Sequence, residues 1–304
     1  MLGMIEEFSL IFKNYGMEVT APKITQTLSE DELIKLLPHH DGWIIGDDPA
    51  TKKVFEAGSS GLLKAAVKWG IGVDNIDFDA CRLLNIPIEN TPNMFGSEVA
   101  DVAIGYLIGL ARETFYIHES VKHGVWAKPR GVSLKNKTVA VIGFGDIGSN
   151  VVKRLISMEM NVNVYDPGLS ESKNPIENFH LYDWPVNLED ADFIIITCAL
   201  TKSSYHLINR NIIESLKTGV RIINVARGPI IDQPVLEEFL KLEKIHSVAL
   251  DVFEVEPLPN NSYLKTHPKC ILGSHNASNT IDAVKITSES AIKKLNNFLG
   301  GSKN

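Results

Sequence analysis

The chain has 304 residues, of which 44% are hydrophobic and 22% charged, with a formal net charge of −7. That length and apolar content support a sizeable core and two domains, while the acidic balance argues against a nucleic-acid partner, which would need a basic face. No apolar run approaches the roughly 18 residues that cross a bilayer, the start MLGMIEEF has no basic region ahead of an apolar core, and Cys81, Cys198 and Cys270 have neither metal-ligand nor disulfide spacing, so the expected setting is the cytoplasm.

The first 92 residues read as a small α/β region. Strands are expected at MEVT (17–20), GWII (42–45), AAVKW (65–69) and PIEN (87–90), with helices at DELIKLL (31–37) and over about 78–84. His39 and His40, in the polar loop LLPHHDG, read as solvated. ENTPN (89–93) reads as a linker. SEVADVAIGYLIGLAR (97–112) follows as a strong helix opened by Ser97. It is apolar on nearly all sides, so the other domain or a partner subunit is expected to cover it.

The middle of the chain alternates short apolar runs with helical stretches. The runs are TVAVI (138–142), NVNVY (161–165), DFIIIT (192–197), VRIINV (220–225), HSVAL (246–250) and KCILGS (269–274). They are β-branched and almost continuously apolar, as strands covered on both faces should be. Alternating strand and helix implies a parallel, doubly wound sheet of six strands. After Thr280 no strand is expected, and SESAIKKLNNFL (288–299) reads as an amphipathic helix returning to the first domain.

The first of these strands runs directly into Gly143, Gly145 and Gly148, spaced G-x-G-x-x-G, and then into a helix. Such glycines allow a tight turn, close approach of backbone to a pyrophosphate, and close helix–strand packing. The helix N-terminus adds free N–H groups and partial positive charge. The next strand ends in Asp166, 18 positions past Gly148, where a carboxylate can accept ribose hydroxyls and repel a 2′-phosphate. The pattern points to NAD rather than NADP.

Polar residues stand at the ends of the later strands, where ligands of open α/β sheets bind. Arg227 follows the fourth strand, Asp251 and Glu256 follow the fifth, and His275 follows the sixth. A hydroxyl is oxidised by giving its proton to a base while its hydride goes to nicotinamide. His275 suits the base, because imidazole titrates near neutral pH. Glu256 suits an orienting partner for it. Arg227 suits a fork for a substrate carboxylate that also polarises the adjacent carbonyl.

At these residues the sequence resembles the D-2-hydroxyacid dehydrogenase family, on its D-3-phosphoglycerate dehydrogenase-like branch. The resemblance is carried by KWGIGVDNID (68–77), the long stretch 90–112, VAVIGFGDIG (139–148), VYDP (164–167), the stretch 207–232, ALDVFEVEPLP (249–259) and GSHNASNT (273–280). It implies a Rossmann NAD domain over 93–280 inserted in a flavodoxin-like substrate domain of residues 1–92 plus 281–304. It implies Arg227, Glu256 and His275 as the catalytic set, and substrate contacts at Ile71, Gly72, Val73 and Asn75 besides Arg227. On the cofactor it places Gly143, Gly145, Asp146, Ile147, Gly148, Asp166, Cys198, Ala199, Val225, Ala226, Arg227, Asp251 and His275. The 97–112 helix and the following arm, with Trp126, correspond to a homodimer contact. His118 and His123 on that arm read as surface or interface residues rather than ligands, and no metal is expected.

The sequence departs from the pattern in four places. Met1 stands almost inside the first helix, so the first domain is expected to lack a strand and the true start to lie upstream. Ala199 replaces a usual proline. No C-terminal regulatory domain is expected. Where phosphoglycerate enzymes place an arginine for the phosphate, this chain reads Gly46-Asp47-Asp48, whose two carboxylates would repel a phosphate, and Lys68 is the matching nearby cation. The expected function is hydride transfer between NAD and C2 of a D-2-hydroxy acid or 2-keto acid. An alternative is an NAD(H)-sensing, non-enzymatic binding protein of the corepressor type, which would keep the same residues. Turnover of any 2-keto acid separates the two.

Overall fold

A computed structural model describes residues 1–24, 27–169 and 178–301. The chain divides into two compact units, one of Met1–Met94 with Asn279–Asn304 and one of Phe95–Ser278. Residues 302–304, which the sequence assigns to the first of these, lie outside the described residues.

The first unit is built on a three-stranded parallel sheet, β1 (Gly42–Ile45), β2 (Ala65–Lys68) and β3 (Ile88–Asn90), in that order. Alternate residues point to opposite faces. Trp43, Ile45 and Ala66 pack with Leu33, Phe55 and Cys81, which lie on α2 (Glu30–Leu36), α3 (Lys52–Ser59) and α4 (Phe78–Leu83). On the other face Ala65 and Val67 pack with Ala291 and Leu295 of α10 (Ile281–Phe298). Phe8 and Phe12, the latter on α1 (Ser9–Asn14), complete that layer against Ile292. Burial of each large side chain contributes about 1.5–3 kcal/mol.

Short local devices set the helix starts. Ser29 and Glu32 form a reciprocal capping box at α2, and Thr51, Asp77 and Thr280 cap α3, α4 and α10. Because Thr280 already starts the last helix, it begins seven residues before the expected 288. The expected strand 17–20 is absent: the segment is coil with no ladder partner among the described residues, and Val19 remains 41% exposed. His40 is not simply solvated, since its ring nitrogens bond the Leu36 carbonyl and the Thr20 hydroxyl at 2.9 and 2.8 Å.

The second unit holds a seven-stranded parallel sheet. Its strands are β4 (Thr138–Ile142), β5 (Asn161–Tyr165), β6 (His180–Leu181), β7 (Phe193–Ile196), β8 (Val220–Asn224), β9 (Ile245–Leu250) and β10 (Cys270–Leu272). They lie in the order β10-β9-β8-β7-β4-β5-β6. The expected six strands are all present. The seventh, β6, has only two residues, too few to show any period, and pairs along the edge of β5. β7 and β8 are fully buried, which accounts for the unbroken apolar run of β7 and the mostly apolar run of β8, where Arg221 and Asn224 are the exceptions. The chain order reverses between β4 and β7, so the crevice for a ligand opens at the carboxyl ends of those two strands.

α8 (Arg210–Ser215) and α9 (Gln233–Lys241) supply Ile213, Leu236, Phe239 and Leu240 to the core on one face. α7 (Asp146–Ser157) and α5 (Gly96–Arg112) are the other helices of the unit's sheet, and α6 (Thr114–Lys122) continues from α5. The cover for the apolar α5 comes from this same unit: it packs on α7 and on β8, β9 and β10, burying Val99, Ala103, Leu107 and Leu110. Its start also differs from expectation. The N-cap is Phe95, without a side-chain hydrogen bond, and the Ser97 hydroxyl instead accepts from Arg154 Nη2 of α7 at 2.9 Å.

Candidate active site

The turn after β4 forms a cradle at the switch point. Gly143 has φ +97°, and a Cβ there would fall 2.7 Å from backbone atoms of Cys198. A Cβ on Gly148 would fall 2.1 Å from the Gly143 carbonyl oxygen. The fold therefore requires both glycines. Gly145 is different: it has φ −73° and a Cβ on it would meet nothing within 4 Å. Neither backbone conformation nor packing explains that glycine, whereas close approach of a pyrophosphate does. Asp146 and Ile147 open the 12-residue α7, whose N-terminus carries no side-chain cap, so its N–H groups suit an anion.

Asp166 stands at the end of β5. Its two oxygens accept the N–H groups of Phe144 (2.7 Å) and Gly168 (2.8 Å), which pins the carboxylate beside the cradle. Cys198 and Ala199 follow β7 on the other side. Burial pushes the Cys198 thiol up to about 11, so at neutral pH it is a protonated, unreactive wall. These residues fit a dinucleotide with unphosphorylated ribose.

β8, β9 and β10 are neighbours in the sheet, and this adjacency brings the chemically distinctive residues to one end. Val225, Ala226 and Arg227 follow β8. The fully buried Asn224 shapes their turn, its Oδ1 accepting from the Ala226 N–H at 3.0 Å and its Nδ2 donating to the Arg227 carbonyl at 2.8 Å. Arg227 Nη1 donates to the Ala226 carbonyl at 2.8 Å. Gly228 then passes against the Phe253 backbone, where no side chain fits.

Asp251 directly follows β9 and has 2% of its surface exposed. Its carboxylate accepts the N–H groups of Asn276 (3.3 Å) and Ala277 (2.9 Å), and its carbonyl accepts the N–H of His275 (2.7 Å). Asp251 thus holds the backbone that carries the imidazole. Tyr106 of α5 donates its hydroxyl to the same carboxylate at 3.5 Å, and burial together with that charge keeps the phenol protonated. His275 itself has φ +55°, a left-handed conformation that few non-glycine residues adopt without support. Its Nδ1 lies 2.7 Å from Glu256 Oε2, while Glu256 Oε1 accepts the Phe253 N–H at 2.9 Å. Nε2 is the ring nitrogen turned away from the carboxylate.

Sequence reasoning missed the clamp beneath these loops. His206 Nε2 lies 2.8 Å from Glu254 Oε1, and its backbone N–H donates to the Pro229 carbonyl at 2.9 Å. Glu254 and Gln233 exchange backbone-to-side-chain hydrogen bonds at 3.2 and 3.3 Å. The clamp ties together the loops after β7, β8 and β9. The signal in the sequence was a second glutamate, Glu254, two positions before the one selected. Asn224 was legible as a lone amide in an apolar run.

Ile71, Gly72, Val73 and Asn75 belong to the other unit, in the turn after β2. The Ile76 N–H closes that turn onto the Val73 carbonyl at 3.1 Å. The Asn75 amide donates to the Gly46 and Asp48 carbonyls at 3.1 and 2.7 Å, tying this turn to the loop after β1.

Comparison with known proteins places this geometry in context. Residues 104–277 match the family described as D-isomer specific 2-hydroxyacid dehydrogenase, NAD binding domain. A hydroxypyruvate reductase of Thermotoga maritima is 36% identical over 255 residues, covering 83% of this chain and 80% of that protein. A D-3-phosphoglycerate dehydrogenase of Archaeoglobus fulgidus is 33% identical over 282 residues, 91% of this chain but 52% of the longer relative. The apo structure of D-lactate dehydrogenase from Escherichia coli superposes with a TM-score of 0.84 at 25% identity, over 98% of this chain and 94% of the other.

Proposed function

We propose a specific chemistry from one premise: the chain belongs to the D-isomer specific 2-hydroxyacid dehydrogenase family. It is an NAD-dependent oxidoreductase of small 2-hydroxy or 2-keto acids. Gly143, Gly145, Gly148, Asp146 and Ile147 hold the pyrophosphate, Asp166 holds the ribose, and Cys198, Ala199, Val225, Ala226 and Asp251 line the remaining cofactor surface. Bound NAD supplies the hydride acceptor.

The chain's own residues bind the acid and move the proton. In oxidation His275 takes the hydroxyl proton at Nε2, and in reduction it returns that proton to the carbonyl oxygen. Glu256 accepts the Nδ1 hydrogen, fixes the ring and favours the imidazolium. Arg227 grips the carboxylate with two parallel N–H groups and polarises the carbonyl at C2. In the other unit the turn of Ile71, Gly72, Val73 and Asn75 contacts the substrate. The 97–112 helix and the arm that follows it serve as a homodimer contact, and the cytoplasm is the setting.

The observation that carries this reading is the 2.7 Å pair of His275 and Glu256, mounted on backbone that buried Asp251 holds. The test is NADH oxidation with a panel of 2-keto acids, including glyoxylate, hydroxypyruvate and pyruvate. His275→Gln is expected to lower kcat/KM by about 10³-fold. Arg227→Lys is expected to lower it about 10–100-fold, because an ammonium keeps the charge but not the fork. Undiminished turnover in the His275 variant would overturn the assignment.

A further inference from the structure

Glu256, the partner of His275, stands on the turn Phe253-Glu254-Val255-Glu256. Packing holds one end of that turn: Phe253 is 5% exposed, whereas Val255 is 60% exposed. The middle is held by the polar contacts of Glu254. Its Oε1 lies 2.8 Å from Nε2 of His206 and accepts the Gln233 N–H at 3.2 Å, and its own N–H donates to Oε1 of Gln233 at 3.3 Å. Gln233 is the first residue of α9, so the turn is moored to a helix whose Leu236, Phe239 and Leu240 lie in the core.

His206 is itself held from several directions. Its ring stacks on Tyr205, with centroids 4.1 Å apart and planes at 16°. Its N–H donates to the Pro229 carbonyl at 2.9 Å, and its carbonyl accepts from Nδ2 of Asn209 at 3.2 Å. Oδ2 of Asp232 lies 3.8 Å from Nδ1, while Oδ1 of the same carboxylate caps α9 by accepting the Val235 N–H at 3.3 Å. The ring and the backbone of His206 therefore act on different loops. The backbone N–H reaches Pro229, in the loop of Arg227, and any residue but proline keeps it. The ring reaches Glu254, in the loop of Glu256, and only a side-chain donor of similar reach replaces it.

We propose that His206 is a positioning residue: through Glu254 its ring fixes the turn that carries Glu256, and with it the orientation of His275 for proton transfer. The proposal rests on the roles given above to Glu256 and His275. A reacting group displaced by about 1 Å can cost about 10²-fold in rate. Loosening this turn thus slows the chemical step, while the Pro229 contact, and with it the loop of Arg227, stays in place.

The experiment measures kcat and KM for a 2-keto acid that the wild type reduces, at saturating NADH and well below every melting temperature. The variants are His206→Leu, His206→Gln, Glu254→Ala and the double variant His206→Leu/Glu254→Ala. His206→Leu and Glu254→Ala are each expected to lower kcat about tenfold or more while KM changes less than about twofold. The isotope effect on kcat, read with NADH deuterated at the transferred hydrogen, is expected to rise in both. His206→Gln keeps a donor toward Glu254 and is expected to recover most of kcat. The double variant is expected to be no slower than the slower single one, because both changes remove the same contact. A lowered melting temperature with kcat unchanged in the single variants overturns the proposal. So does a rise in KM in place of the loss of kcat, or a multiplicative loss in the double variant. Each of these leaves the dehydrogenase reading intact. If His206→Leu does not fold, Glu254→Ala alone decides between a loss of kcat and an unchanged kcat. Absence of wild-type turnover with every 2-keto acid overturns both readings.

Discussion

Gly228 and Phe253 approach so closely that a Cβ built on the glycine would fall 1.9 Å from the Phe253 carbonyl carbon and oxygen. The neighbour is backbone and cannot rotate away. The contact sets the loop bearing Arg227 against the loop that leads to Glu256. Gly228→Ala should therefore cost about 2–5 kcal/mol in stability, in the range of severe overpacking. Urea unfolding monitored by circular dichroism measures it. A variant with unchanged stability would mean that the two loops are not in contact.

Asn224 offers a subtler probe. Asn224→Ala leaves the Ala226 N–H and the Arg227 carbonyl without their side-chain partners in a buried setting, a loss of about 1–3 kcal/mol. Because Arg227 stands on that turn, KM for the keto acid should rise more than kcat falls. Steady-state kinetics separates the two, and an effect confined to thermal stability would make Asn224 merely structural.

His246 makes a pH-dependent contribution to stability. Burial, with Arg221 and Lys269 nearby, lowers its pKa from the ordinary 6.5 to about 4, although Glu113 Oε1 lies 3.9 Å from Nε2. The unfolded chain takes up a proton as pH falls through this window and the folded chain does not. Stability is therefore untouched above pH 6.5 and is lost progressively as pH drops from 6.5 toward 4. His246→Gln should show a smaller fall in Tm between about pH 7 and about pH 4.5 than the wild type does. Parallel curves would rule this histidine out.

The exposed apolar side chains of α6 and the arm predict the oligomeric state. Phe115 is 49% exposed, Val125 57% and Trp126 77%. Exposed apolar side chains on a short helix and on the segment just after it suit an interaction surface. Sedimentation should find a dimer, and Trp126→Arg together with Phe115→Arg should shift it toward monomer. A wild-type monomer at micromolar concentration removes the assignment.

Much of this molecule was legible because parallel strands buried on both faces announce themselves as apolar runs, unbroken at Phe193–Ile196 and interrupted at Val220–Asn224 by Arg221 and Asn224. Turn and cap residues were legible where chemistry is local: Gly143, Gly148 and Asp166 stand where their spacing puts them. What was not legible depends on three-dimensional neighbours. β6 is too short to have a period. Met17–Thr20 alternates as a strand does yet finds no ladder to join. Asp48 looks like a second surface carboxylate until the Leu28 amide fills one of its oxygens. The pairing of His206 with Glu254 joins positions 48 residues apart, and nothing in either local sequence selects the other.

The open space above Gly145 has a practical consequence. Its neighbours Gly143 and Gly148 serve the architecture, and replacing either should damage the protein itself. Alanine at 145 should leave the chain folded, with an ordinary melting curve, while the methyl group occupies the room a dinucleotide needs. That one substitution would uncouple folding from cofactor affinity and yield an intact, nucleotide-blind reference protein. Differences between it and the wild type in hydrogen exchange or melting, each measured with and without added NADH, would then report the cofactor's effect alone.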